Sequence, residues 1–169
     1  PGDGDHAEHG RDRGEHDRAE AGGTGIDGGV PHVLACGTLG VDLSFQNFED
    51  ELENMPGEYA PPKGELLLAR AADGEAVGCV ALRPLDIPGC CEMKRLYVAR
   101  KGRRLGAGKA LVEAIIQEAV NKGYTEMRLD TLPSMAAALS LYAEAGFERI
   151  KPYYASPIPG AVFLAKKLP

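Results

Sequence analysis

The stretch ARKGRRLGAGKAL, residues 99–111, sets glycines at 106 and 108 inside a basic run and directly ahead of a helical pattern. A strand-like segment, CCEMKRLYV (residues 90–98), leads into it. A turn between a strand and a helix N-terminus gathers free backbone N–H groups and the positive end of the helix dipole, so it suits an anion. Glycines there let a ligand approach the backbone without a Cβ in the way. Three phosphate-binding patterns can be set against it. The GxxxxGK[ST] loop fails twice: Arg103 stands where its first glycine belongs, and Ala110 where its hydroxyl magnesium ligand belongs. The dinucleotide pattern GxGxxG meets Gly106 and Gly108 but finds Leu111 in place of its third glycine, although Asp130 stands near the distance of a ribose-binding acid. The third pattern, Arg/Gln-x-x-Gly-x-Gly/Ala, is met by Arg103, Gly106 and Gly108.

Outward from the loop, the chain alternates strands and helices. ELLLARAADGEAVGCVALRP (65–84) reads as two strands joined around Asp73-Gly74, a hairpin signal. After the loop, Ala107, Leu111, Ala114, Ile115 and Ala119 share one helical face, and Lys122-Gly123 closes the helix. YTEMRLDT alternates as a strand, SMAAALSLYAEAG is a second helix with Ser134 as its expected cap, and FERIK and AVFLAKKL supply two last strands around YYASPIPG. Ahead of the hairpin, Leu43, Phe45, Phe48, Leu52 and Met55 keep close to helical spacing over 44–55, stopped by Pro56-Gly57. The order predicts an α/β fold with a mixed sheet, parallel where helices cross over.

The 169 residues suffice for one domain with a real core. A net charge of −6 speaks against nucleic acid as a partner, and the basic run lacks an aromatic platform for it. No apolar run reaches the roughly 18 residues of a membrane span. The acidic, glycine-rich N-terminus does not read as a secretory signal. Cys36, Cys79, Cys90 and Cys91 form no CxxC pair, so no metal site is expected, and reduced thiols suit a cytoplasmic protein. Residues 1–20 carry seven acids, three arginines and three of the four histidines, and residues 1–38 read as a disordered acidic tail. The folded domain is expected over 41–168.

With EMKRLYV before the loop and ALSLYAEAGF one strand after it, the chain resembles the GCN5-related N-acetyltransferase (GNAT) superfamily over about residues 41–168. The resemblance implies a mixed, mostly antiparallel sheet flanked by helices, with a central parallel pair splayed at an acetyl-CoA cleft. It implies pantetheine against the open edge at Leu96, Tyr97 and Val98, and pyrophosphate on the amides of Arg103, Arg104, Leu105, Gly106, Ala107, Gly108 and Lys109. An N–H of that strand would polarise the thioester carbonyl. Relatives often carry glycine where Arg104 stands, and an asparagine where Met135 stands.

By the same resemblance Tyr142 is the general acid for the departing thiolate and Glu92 the base for the acceptor amine. Alternation would put Glu92, Lys94, Leu96 and Val98 on one side of the strand if no bulge intervenes. Glu92 then lies roughly 13 Å from Leu96, at about 3.3 Å per residue, and is expected to act through water. A sheet carboxylate paired with Lys or Arg is the plainer alternative. Phe45, Gln46, Tyr59, Tyr153 and Tyr154 are the candidate acceptor-site residues. The implied activity is direct transfer of acetyl from acetyl-CoA, as co-substrate, to a primary amine of a small molecule or peptide. The family's first strand and long helix find no counterpart in the tail. This gives weight to a rival reading, an acyl-CoA-binding or partner-binding protein without turnover. An uncovered edge strand would favour a homodimer.

Overall fold

The computed structural model describes residues 25–27, 56–103 and 105–169, and for the first of these only the backbone pairing. The helix expected over 44–55, with Phe45 and Gln46, lies outside the described residues, as does Arg104.

Seven strands form one sheet: β1 (Gly25–Asp27), β2 (Glu65–Arg70), β3 (Ala76–Pro84), β4 (Cys90–Val98), β5 (Glu126–Thr131), β6 (Glu148–Arg149) and β7 (Val162–Lys167). Among the described residues three α-helices accompany them, α1 (Arg100–Arg103), α2 (Ala107–Asn121) and α3 (Ala136–Glu144), with a 3-10 turn at Gly57–Tyr59. The spatial order is β1-β2-β3-β4-β5-β7-β6. Every neighbouring pair is antiparallel except β4 and β5, whose connection runs through α2. Parallel neighbours need such a crossover. β1 falls within the stretch read as a tail, and it covers three residues of the β2 edge, pairing Gly25 with Arg70 and Asp27 with Leu68.

The hairpin turns where Asp73-Gly74 predicts it. Gly74 takes φ +82°, and the Glu75 N–H donates to the Asp73 carboxylate at 3.1 Å. Strand alternation then sorts the sheet into two faces. On the back, Leu67, Val80, Leu82, Cys91, Met93, Met127, Leu129 and Leu164 join Ala107, Leu111, Val112, Ile115 and Ala119 of α2 in one core. Each of the large aliphatic side chains removed from water there contributes about 1.5–3 kcal/mol. The cap of α3 is Met135 rather than Ser134, with no side-chain hydrogen bond.

One irregularity overturns an expectation. Cys79 pairs with Tyr97, but Ala81 pairs with Lys94, so Arg95 and Leu96 stand together opposite Val80. Arg95 absorbs this bulge with φ +58°. A bulge of one residue reverses the inside–outside alternation beyond it. Glu92 and Lys94 therefore face the front of the sheet, while Leu96 and Val98 pack against the back core. The four do not share one side.

Candidate active site

β4 and β5 pair over three residues only, from Cys90 opposite Glu126 to Glu92 opposite Arg128. Beyond that point β5 continues along β7, and β4 continues along β3. The two central strands thus part, and the β4 edge from Met93 to Val98 has no partner strand among the described residues. On the front face one ion pair crosses the gap: Lys94 Nζ lies 3.0 Å from the Asp130 carboxylate, both largely buried.

The open edge leads straight into the glycine loop. The Ala99 N–H donates to the Val77 carbonyl at 2.9 Å, which fastens the start of the loop to β3. Gly102 is buried there, and a Cβ on it would meet the Val77 carbonyl oxygen at 2.7 Å, so the close approach requires glycine. The amides of Arg103 and Leu105 hold the loop's own shape, donating to Ala99 and Gly102. Among the described residues no acceptor meets the amides of Gly106, Ala107, Gly108 and Lys109. Gly106 caps α2 in the left-handed region, φ +72°, with no side-chain hydrogen bond. Its α-carbon faces open space. These four amides, without an acceptor among the described residues, stand at the first turn of a 15-residue helix, an arrangement suited to an anion.

The basic run divides its labour. Lys101 is tied to Asp73 and Glu75 at the hairpin tip, at 2.5 and 2.7 Å, and these acids raise its pKa. Arg103 donates from Nε to the Val98 carbonyl at 3.1 Å.

Tyr142 lies on α3, nearly buried, edge-on to Phe147 at 5.9 Å. A Cβ on Gly108 would sit 3.4 Å from Leu141 and 3.5 Å from Val98, which places α3, β4 and the start of α2 in mutual contact. Burial, and then the Asp130 charge, pushes the Tyr142 phenol up to about 12. Its hydroxyl stays protonated at neutral pH.

Glu92 is 1% exposed on the front face. Its Oε2 accepts from Arg83 Nε at 2.8 Å, and its Oε1 accepts from the Tyr153 hydroxyl at 2.5 Å. Lys94 stands 3.9 Å from Oε1. Arg83 also reaches Glu58, at 2.6 Å. Burial opposes the Arg83 charge, but Glu92 and Glu58 outweigh it and its proton is held tightly. Tyr153, Tyr154 and Phe163 form a cluster of edge-to-face rings 5.1–5.4 Å apart. Arg128 lies over the Tyr153 ring at 5.4 Å. Burial, followed by Glu92, drives the Tyr153 phenol far above the usual tyrosine range, and burial with Asp130 does the same for Tyr154.

The structure therefore brings Glu92 and Tyr153 together, 61 residues apart in sequence, and puts Tyr142 beside the parted strands. Tyr59 is buried, 1% exposed. The expected alternative, Glu92 paired with a sheet Lys or Arg, is met by Arg83, but sequence reasoning did not single out Arg83 or the Lys94–Asp130 pair, because nothing local marks which charges on neighbouring strands will meet. It also passed over Gly102, although a third glycine in the loop was a visible signal.

A mixed sheet whose central parallel pair splays beside a glycine-capped helix is the fold class of the acetyltransferases among the solved structures this chain resembles. The family model for the acetyltransferase (GNAT) family matches residues 38–147, and the chain belongs to that family. An uncharacterized N-acetyltransferase of Schizosaccharomyces pombe (strain 972 / ATCC 24843) is 50% identical over 126 residues, 75% of this chain and 77% of that protein. Among solved structures, a GNAT family acetyltransferase from Elizabethkingia anophelis with acetyl-CoA bound is 28% identical. It has a TM-score of 0.55 over 78% of this chain and 94% of its own. A Bacillus subtilis acetyltransferase in complex with CoA is 26% identical, with a TM-score of 0.57 over 75% of this chain and 86% of its own.

Proposed function

We propose that the protein moves an acetyl group from acetyl-CoA to a primary amine of a small molecule or peptide, directly, with both substrates bound together. The observation that carries this is the continuity of the unpaired β4 edge with the four free amides from Gly106 to Lys109. A ligand with an amide-bearing arm and a pyrophosphate fits that sequence of features: the arm adds to the edge as a strand would, and the phosphates meet the helix N-terminus. The acetyl-CoA-bound and CoA-bound relatives support the choice.

Acetyl-CoA supplies an activated acyl group on a thioester. Leu96, Tyr97 and Val98 offer it backbone groups, and Arg103 steadies the end of the strand through the Val98 carbonyl. Tyr142 keeps its proton and presents it to the departing sulfur. With a pKa of about 12 against an ordinary thiol's ~8.5, it stabilises a thiolate by hydrogen bonding more than by complete transfer. Glu92 takes up the proton that the amine must lose. The acceptor lies on the front face, bordered by the loop of residues 151–161 that carries Tyr153 and Tyr154.

The test is isothermal titration of acetyl-CoA into the protein, with Gly108→Glu as control, followed by an amine panel read as free-thiol release. Binding that the control abolishes, with amine-dependent thiol release, supports the reading. Binding without release by any amine would leave the rival, an acyl-CoA-binding protein without turnover.

A further inference from the structure

We infer that the Tyr153 hydroxyl is the group that meets the acceptor amine, and that it relays the amine's proton to Glu92. The inference rests on the transferase reading above and assigns the path that reading leaves open.

Glu92 cannot be approached directly. It is 1% exposed, Arg83 covers Oε2 at 2.8 Å, and Tyr153 covers Oε1 at 2.5 Å. Buried as it is, Glu92 receives a proton only through a neighbour that touches it and can itself accept one. The Arg83 guanidinium and the Lys94 ammonium have no lone pair for this. Tyr153 does: its O–H points at Glu92, its oxygen keeps acceptor capacity, and the residue is partly exposed. The rings of Tyr154 and Phe163 and the guanidinium of Arg128 hold it in that orientation.

The surrounding charges suit proton uptake. Arg83 reaches Glu92 from β3, Lys94 stands beside it on β4, and Asp130 pairs with Lys94 from β5. Glu58 completes the set from the turn before β2. Two cations thus face three carboxylates, and one added proton balances them. Arg128, over the ring, is itself paired with Glu126, and the Tyr154 hydroxyl faces Asp130. When Glu92 is neutralised, Arg83 keeps Glu58 as its counter-ion, so no buried cation is orphaned.

The step balances without another reactant. As the amine nitrogen bonds to the acyl carbon, its N–H bond breaks and the proton passes to the Tyr153 oxygen. The Tyr153 O–H proton moves to Glu92 Oε1, regenerating the phenol and leaving a carboxylic acid. The C–S electron pair departs with the sulfur, beside Tyr142.

The experiment compares wild type, Tyr153→Phe, Glu92→Gln and the double variant in the full chain. Acetyl-CoA binding is measured by calorimetry, and kcat/KM against pH is measured with the fastest of n-butylamine, tyramine and spermidine. Each single variant is expected to bind acetyl-CoA as wild type does and to lose about 100-fold in kcat/KM, with the enzyme's own rising limb removed. The amine's own ionisation is common to all four and cancels. The double variant should be no worse than either single one. A Tyr153→Phe profile that keeps the limb Glu92→Gln loses would show water carrying the proton and overturn the relay. Limbs kept in both variants would make Glu92 structural and overturn it equally. If wild type binds acetyl-CoA but turns over no amine, the transferase reading falls and the relay falls with it; turnover with a limb kept in Tyr153→Phe overturns the relay alone.

Discussion

A methyl group added at Gly102 tests how the glycine loop is held. In Gly102→Ala the new Cβ would lie 2.7 Å from the Val77 carbonyl oxygen, 3.0 Å from Val77 Cβ and 3.1 Å from Val98 Cγ1. Carbon contacts are comfortable at about 3.5–4.0 Å, so the loop must retreat from β3 by roughly half an ångström. Such overpacking costs about 1–3 kcal/mol. The retreat also stretches the Ala99–Val77 hydrogen bond at the root of the loop, 2.9 Å long, which adds about 1 kcal/mol. At about 2–4 °C per kcal/mol for a chain of this size, Gly102→Ala should lower Tm by about 5–10 °C. It should also weaken acetyl-CoA binding about tenfold, roughly 1.4 kcal/mol, since the free amides ride on the same loop. Gly106→Ala is the contrast. Nothing lies within 4 Å of its Cβ, so only the positive φ acts against it, about 1–2 kcal/mol. Differential scanning fluorimetry and isothermal titration on the three proteins decide the matter. A Gly102→Ala protein with wild-type Tm and wild-type affinity would refute the account of a loop clamped against β3.

Other expectations concern the site and its charges. Gly108→Glu puts a carboxylate at the helix N-terminus beside Leu141 and Val98; calorimetry should show acetyl-CoA affinity falling more than about 100-fold, with circular dichroism unchanged. Glu92→Ala leaves Arg83 with Glu58 alone and should destabilise by about 3 kcal/mol in urea titration, more than Glu92→Gln, which keeps an acceptor. Tyr142 has a folded-state pKa of about 12 against about 10 unfolded, so its stabilisation is whole below pH ~10 and is lost as pH rises toward ~12. Urea titrations across that window should show Tyr142→Phe flattening the alkaline decline in stability by about 2–3 kcal/mol. Lys101→Ala breaks contacts among exposed partners, and its Tm should match wild type.

Much of the architecture is written in local chemistry. CCEMKRLYV is β4 in full, because its alternation and β-formers leave no competing period. The hairpin follows from Asp73-Gly74, and the buried face of α2 from Ala107, Leu111, Ile115 and Ala119. The bulge at Arg95 is another matter. A positive φ is normally flagged by glycine or asparagine, and an arginine gives no such sign. Its effect reaches past its own position, since it reverses where Leu96 and Val98 point. β1 was hidden for the opposite reason: its glycine-rich surroundings read as tail, and only the partner strand β2 makes Gly25–Asp27 a strand. The Glu92–Tyr153 contact is a tertiary event, set by how the loop after β6 folds back over β4, and no spacing encodes it.

The short run of pairing between β4 and β5 has a mechanical consequence. One half of the sheet is β1 to β4, and the other is β5, β7 and β6. Three rungs, the Lys94–Asp130 bridge and the Tyr153–Glu92 hydrogen bond cross between them, and one core backs both. Past the third rung no backbone bond among the described residues ties β4 to β5, so the wedge is the part of the sheet whose opening should respond most to what lies in it. A ligand seated in the wedge therefore works as a splint. Amides along Met93–Val98 and Leu129–Thr131 should exchange with deuterium together, and slow together when the wedge is filled.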